Sequence, residues 1–205
     1  KVMNTKQTPV RTRVVPPPIP RRSGRPTPPR RGAPHPAKRS MIRKPVPQIH
    51  TEPLNPDAVR FVPLGGLEEI GRNCSFYEYK NEIVIIDVGI QFPEEATPGI
   101  DYIIPNVEYL ATKKENIKGI ILTHGHYDHI AAIHYLLERL GNPIIYTSPF
   151  TKAMVEKRHE EFPNAPRLRF ETVSEGKTVR ISEHFSAEFM EIEHTIPEAL
   201  GFVLS

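Results

Sequence analysis

The stretch Gly119-Ile120-Ile121-Leu122-Thr123-His124-Gly125-His126-Tyr127-Asp128-His129 decides how this chain is read. Its first residues form a short apolar run with β-branched members, too brief for a helix, and predict a buried strand. From Ile130 to Leu140 apolar residues recur at helical spacing, and Gly141 offers a C-terminal cap, so a helix is predicted there. The histidine-rich segment therefore falls between a strand end and a helix start. His124 and His126, as alternate residues, can point the same way, whereas Asp128 and His129 enter the first helical turn and face elsewhere. One loop can thus address two neighbouring cations. Three of the nine histidines fall within six residues, a concentration that scattered surface usage does not explain.

Neutral imidazole and carboxylate suit borderline ions such as zinc or manganese, and a catalytic site keeps fewer protein ligands than its full coordination so that water can bind. Two such ions close together would lower the pKa of a shared water and clamp both oxygens of an in-line displacement at phosphorus.

Outward from this loop, the N-terminal segment belongs to a different physical class. Residues 1–50 hold 13 Lys or Arg, no Asp or Glu, and 12 of the 23 prolines. The remaining 155 residues carry 14 basic and 24 acidic side chains, so +13 and −10 combine to the net +3. Runs such as Pro16-Pro17-Pro18-Ile19-Pro20-Arg21-Arg22 and Pro28-Pro29-Arg30-Arg31 cannot sustain a helix or a sheet ladder, and they offer too little apolar surface to offset ordering entropy. A disordered basic tail over 1–56 is expected. Attached to an acidic domain over 57–205, it suggests attraction to a polyanion, nucleic acid first and anionic membrane second, with Arg21, Arg22, Arg30 and Arg31 as contacts. A solubilising linker is the plainer reading. The sequence holds no apolar stretch of membrane-spanning length and no secretion signal, and its single Cys74 excludes an intrachain disulfide. A cytoplasmic protein is the simplest expectation.

In order, strands are predicted over 59–64, 73–79 and 83–89, the last two joined by a hairpin turn at Lys80-Asn81-Glu82. Asp87 closes an apolar run where an unpaired carboxylate would be costly, and is read as a group that orients the metal loop. A long connection over 90–105 precedes a short helix from Asn106 to Lys114. Beyond Gly141 come a buried strand over 143–147 and a helix begun by Ser148 and Pro149 and running to about Phe162. Strands over 168–173 and 177–181 are expected to pair across Glu175-Gly176. A half-buried strand over 187–194 ends in His194, which stands at an element end and becomes the candidate third ligand of the first ion. His134, His159 and His184 are read as surface residues.

The His-x-His-x-Asp-His loop resembles the signature of the metallo-β-lactamase superfamily, which implies an α/β fold, here the first part of an αββα sandwich. Within it, the stretches Leu64-Gly65-Gly66-Leu67-Glu68-Glu69-Ile70-Gly71-Arg72-Asn73, Asp87-Val88-Gly89-Ile90-Gln91-Phe92-Pro93-Glu94-Glu95, Gly99-Ile100-Asp101-Tyr102-Ile103-Ile104-Pro105 and His194-Thr195-Ile196-Pro197-Glu198-Ala199-Leu200-Gly201 look like the bacterial ribonuclease J family. The resemblance runs from about Arg60 to Ser205 and leaves out the tail. It implies RNA as substrate, 5′→3′ exonuclease and endonuclease action in RNA maturation and decay, two divalent ions (zinc, with manganese as the other candidate), and dimers or tetramers of the full-length protein. By matching position, His124, His126 and His194 would bind the first ion and Asp128 and His129 the second, with Asp128 also catalytic. The family's bridging aspartate, its later histidine and its β-CASP insertion have no counterpart here. The chain is therefore expected to be the N-terminal part of a longer enzyme, with little or no nuclease activity by itself. Glu68 and Ala131-Ala132 stand where the family usually has glycines. The metal loop alone also fits a thioester or lactam hydrolase, and a catalytically incomplete RNA-binding fragment is the reading from another class.

Overall fold

A computed structural model describes Asn55, residues 57–93 and residues 97–205. The expected disordered tail, with Arg21, Arg22, Arg30 and Arg31, lies outside the described residues. Strands β1 (Arg60–Gly65), β2 (Cys74–Tyr79) and β3 (Glu82–Ile86) form an antiparallel meander. Strands β4 (Ile117–Ile121), β5 (Ile144–Thr147) and β6 (Phe170–Thr172) continue it in parallel, giving a six-stranded sheet in sequence order. A second, antiparallel sheet consists of β7 (Thr178–Arg180), β8 (Ser186–Glu191) and β9 (Leu200–Leu204). Helices α1 (Glu108–Thr112), α2 (Tyr127–Ile130), α3 (Ile133–Leu136) and α4 (Pro149–His159), with a 3₁₀ turn over Lys114–Asn116, complete the described elements.

The central strands explain the layering. Because side chains alternate across a strand, Ile83 and Ile85 of β3 enter one core and Val84 enters the other. Ile120 and Ile121 of β4, and Ile145 and Tyr146 of β5, divide in the same way. The first core lies under the helices, which contribute Leu110, Ile130, Ile133, Leu136 and Val155. The second lies between the sheets and includes Val179, Ala187, Phe189 and Leu200. Strands buried on both faces read as continuous apolar runs, as these do. Gly119 is required where β4 meets β5, since a Cβ there would come within 2.7 Å of the Tyr146 ring. Glu82 ties the sheets together, accepting hydrogen bonds from the Ser182 hydroxyl (2.6 Å) and the His184 amide (3.0 Å).

Two expected elements differ. The segments over 168–173 and 177–181 do not pair: β6 joins β5 in the large sheet, while β7 joins β8 in the small one. The Glu175-Gly176 turn carries the chain from sheet to sheet instead of closing a hairpin, and the Gly176 amide bonds to the Phe189 carbonyl. The helix expected over 130–140 is broken into α2 and α3. Its i→i+4 ladder fails because other segments take its carbonyls: Asp128 accepts from the Asn73 amide (3.0 Å) and His129 from Val88 (2.8 Å), while the Ala132 amide turns to Val88 (2.9 Å). The predicted stop holds. Gly141 has φ 79°, and the Asn142 amide bonds to the Leu137 carbonyl at 3.0 Å, a Schellman closure. Ser148 caps α4 by accepting from the Thr151 amide.

The segment after β3 runs so close to α2 that an ideal Cβ on Gly89 would lie 1.5 Å from the Asp128 carbonyl oxygen. Gly89→Ala is therefore expected to cost at least the upper end of the about 1–3 kcal/mol typical of overpacking, because backbone must move to accept it. Urea unfolding of the variant beside the parent measures this.

Candidate metal centre

The strand β4 ends at Ile121, and the loop that follows is held from three sides. The Asp87 amide bonds back to the Ile121 carbonyl (2.9 Å), the Leu122 amide to Tyr146 (3.0 Å), and the Leu200 amide, at the start of β9, to Thr123 (2.9 Å). Gly125 packs beneath Met154 of α4 and Ile196, so the loop has neighbours from both the helical layer and the segment that carries His194.

The loop's side chains form two groups. His124 Nε2 lies 3.1 Å from His126 Nδ1 and 3.2 Å from His194 Nε2, and one nitrogen from each ring falls within 4.8 Å of the others. Tetrahedral zinc with bonds of about 2.0–2.1 Å holds two ligand nitrogens roughly 3.3 Å apart, so the two spacings about His124 fit such an ion. His124 is buried, His126 half-buried and His194 exposed, leaving one side of the group open to solvent. Burial, reinforced by the neighbouring rings of His129, His194 and His126, pushes His124 down to about 3. Its imidazole is therefore neutral at physiological pH, the form that ligates a cation.

Asp128 and His129 form the second group, with Asp128 Oδ2 3.5 Å from His129 Nε2. The Asn73 side-chain amide donates to Asp128 at 3.0 Å and lies 3.1 Å from His129 Nε2. His129 Nδ1 faces Asp87 Oδ2 at 2.7 Å. In a neutral ring that contact places the proton on Nδ1 and leaves Nε2 as the free lone pair, the arrangement by which a carboxylate orients a metal-binding histidine. Asp87 is buried and also accepts from the Thr123 amide (2.8 Å) and hydroxyl. The Thr123 hydroxyl in turn lies 2.9 Å from His124 Nδ1, so one carboxylate is linked to both groups.

The structure thus brings His124, His126 and His194 together, and sets Asp128 and His129 beside each other with Asp87 behind them. Asn73 and Thr123 are participants that the sequence reading did not single out. Thr123 sits directly before the histidines, and Asn73 ends a quoted motif, but only the fold shows that either reaches the site. His134 departs from its expected surface position: it is buried, with Nδ1 3.1 Å from His159 Nδ1 and its ring stacked on Phe162. Cys74 lies outside the histidine group and is buried, and burial, with the Asp87 charge adding to it, pushes its thiol up to about 12.

The metallo-beta-lactamase superfamily pattern matches residues 67–197, well over half of the chain. The chain belongs to the metallo-β-lactamase superfamily. A ribonuclease J from Synechocystis is 38% identical over 142 residues, covering 69% of this chain and 22% of that protein. One from Thermus thermophilus is 35% identical over 153 residues, covering 72% of this chain and 27% of that protein. The chain therefore spans about a quarter of the length of these curated relatives. A solved protein of unknown function from Enterococcus faecalis shares the fold, with TM-score 0.57 and 17% identity over 71% of this chain and 40% of that one. Superfamily membership implies binding of divalent metal, and the histidine cluster supplies donors of suitable type and spacing.

Burial penalises the charged form of His129, but the Asp87 hydrogen bond and the charges of Asp87 and Asp128 outweigh it and hold the pKa above the usual histidine value. A raised folded pKa stabilises fully below the unfolded value of about 6.5 and is lost as pH rises through the folded value. In metal-free protein, Asp87→Asn is expected to lower the His129 titration midpoint, read by NMR. Its stability deficit should narrow as pH rises past that midpoint in the parent; a deficit independent of pH would contradict the pairing.

Proposed function

We propose that this chain carries the metal-binding part of a ribonuclease of the ribonuclease J type, hydrolysing RNA phosphodiesters by 5′→3′ exonuclease and endonuclease action. The observation that carries the reading is that the loop after β4 and the segment after β8 bring three histidines together beside the Asp128–His129 pair, in a chain 35–38% identical to proteins of that name. His124, His126 and His194 would hold a first ion, zinc by the character of the donors, and Asp128 and His129 a second. Two bound divalent ions supply a water of near-neutral pKa and neutralise charge developing at phosphorus.

The chain's own residues do the positioning. Asp128, held by Asn73, orients the attacking water, while Asp87 keeps His129 in the tautomer that exposes Nε2. The open side of the three-histidine group admits an RNA strand. In this reading the basic tail, through Arg21, Arg22, Arg30 and Arg31, contacts phosphates without base preference. The full-length protein is a cytoplasmic dimer or tetramer engaged in rRNA processing and mRNA decay, and further residues complete the two-metal site. Among the described residues no helix is long and apolar enough to cross a membrane.

Elemental analysis of the chain beside a His124→Ala, His126→Ala double variant is expected to give near-stoichiometric zinc or manganese in the parent and none in the variant. The full-length gene product should then degrade 5′-monophosphorylated RNA, and the same double substitution should abolish that activity. A folded parent that binds no divalent ion, or a full-length product that hydrolyses a thioester or lactam and leaves RNA intact, would sink the proposal.

A further inference from the structure

The segment that presents His194 is the least enclosed part of the three-histidine group. It links β8 to β9 over residues 192–199, and Glu193, His194, Thr195, Pro197 and Glu198 all stand in solvent. The Ile192 amide closes its base by bonding to the Ala199 carbonyl at 2.9 Å, and Ile196 turns inward toward Gly125. A solvated tip of this length has many conformations open to it. Holding His194 Nε2 at 3.2 Å from His124 Nε2 requires that one of them be selected.

Among the described residues, one side chain of the tip besides His194 hydrogen-bonds beyond it. Glu198 Oε2 accepts from the Phe150 amide at 2.8 Å, a partner 48 residues away in sequence. Phe150 lies in the first turn of α4, where amides have no partner within the helix. The neighbouring amides of that turn are already settled. Pro149 has none, Thr151 donates to the Ser148 side chain at 3.2 Å, and Lys152 donates to the Ser148 carbonyl at 2.9 Å. Glu198 therefore serves the remaining amide, and its negative charge meets the positive end of the helix dipole.

The backbone around Glu198 fits such an anchor. Glu198 has φ 55°, a left-handed conformation that strains a residue bearing a Cβ and is sustained where surrounding contacts over-determine it. Pro197 before it has its φ fixed by the ring, which limits the turns the tip can form. Ala199 and Leu200 after it are buried, and the Leu200 amide bonds to the Thr123 carbonyl directly before His124. Met154 of α4 also packs over Gly125, between His124 and His126. One helix thus touches both halves of the group, the first through Met154 and the second through Glu198.

We propose that Glu198 is a positioning residue for the metal centre: by binding the first turn of α4 it fixes the tip that carries His194, and so holds that ring within reach of the ion shared with His124 and His126. Glu198 is not itself a ligand, because Phe150 takes its oxygen and it stands outside the donors that lie within 4.8 Å of one another. This rests on the reading of the three histidines as a metal site, which it deepens by naming what sets the third ligand. Without the anchor the tip must be ordered at the moment of binding, and that cost appears as lost affinity.

The test measures zinc affinity of the full chain by competition with a chromophoric chelator, together with the ring ¹⁵N shifts of the three histidines in zinc-loaded protein. Glu198→Ala removes the acceptor at an exposed position and is expected to weaken zinc binding about 10- to 100-fold, the range for groups that orient ligands. The His194 coordination shift should shrink in that variant while those of His124 and His126 persist. Glu198→Gln keeps an oxygen for Phe150 and loses only the charge, so its affinity should stay within about fivefold of the parent. An Ala variant with parental affinity and an intact His194 shift overturns the proposal, even if urea unfolding shows a weakened fold, because the contact then does no more than cap α4. Equal losses in the Gln and Ala variants overturn it as well, by assigning the effect to charge near the cation. A parent that binds no zinc overturns it together with the metal reading, which the other two outcomes leave standing.

Discussion

Everything at the metal loop leans on one buried carboxylate. Asp87 follows directly on the last residue of β3, has φ 58°, and is sealed from solvent among apolar neighbours. A bare charge there would carry a large desolvation cost. It is offset by the Thr123 amide, the Thr123 hydroxyl and the His129 ring, all aimed at its two oxygens. Each of those partners lies in the loop that bears the histidines, so satisfying the carboxylate and shaping the loop are the same event. The left-handed turn at Asp87 is part of the arrangement, because it ends β3 while its amide still pairs with β4. Strain in such a backbone is sustained where surrounding contacts over-determine it, as here.

A second constraint follows from how tightly that turn must nest. Residues 88–90 exchange hydrogen bonds with residues 127–129 and with Asn73, which draws the start of α2 against backbone instead of against side chains. Gly89 makes the approach feasible, and the helix yields in return, its carbonyls diverted to the segments before β2 and after β3. Ala131 and Ala132 favour helix more than the glycines usual at their positions, yet the helix still breaks there, because tertiary hydrogen bonds outweigh a propensity difference of about 1 kcal/mol per residue. Glu68 shows the same priority. With φ 57° it occupies a conformation that glycine adopts freely, and the surrounding turn holds it there.

These cases mark where the sequence was legible. The doubly buried strands β3, β4 and β5 were readable from their unbroken apolar runs, the chain reversal beyond α3 from Gly141, and the start of α4 from Ser148 and Pro149. His124, His126, Asp128 and His129 were visible because four ligand-type residues share one loop. The false pairing of β6 with β7 arose because a turn signal such as Glu175-Gly176 states that the chain reverses, and says nothing about which sheet receives it. The burial of His134 was hidden because a helix face exposed on one side of its own axis is covered by α4, an element brought there by long-range topology. Asn73 was unreadable as a site residue because it acts across 55 residues of sequence on Asp128.

The charge distribution bears on how such a site would meet a polyanion. Residues 51–205 carry 14 basic against 24 acidic side chains, and Glu191, Glu193 and Glu198 rim the segment that presents His194. By themselves these groups repel phosphate. Cations at the two ligand groups would reverse the local field over a short range, since a bound divalent ion is the largest charge in its neighbourhood. Phosphate would then be attracted only where metal is held, while the acidic surround disfavours binding elsewhere on the body. A segment with the charge of residues 1–50 would act on a polyanion over a longer range, but it carries no information about where a strand should lie. Placement of a strand would then be left to short-range contacts beside the histidines, where a bound cation and the acidic surround oppose each other.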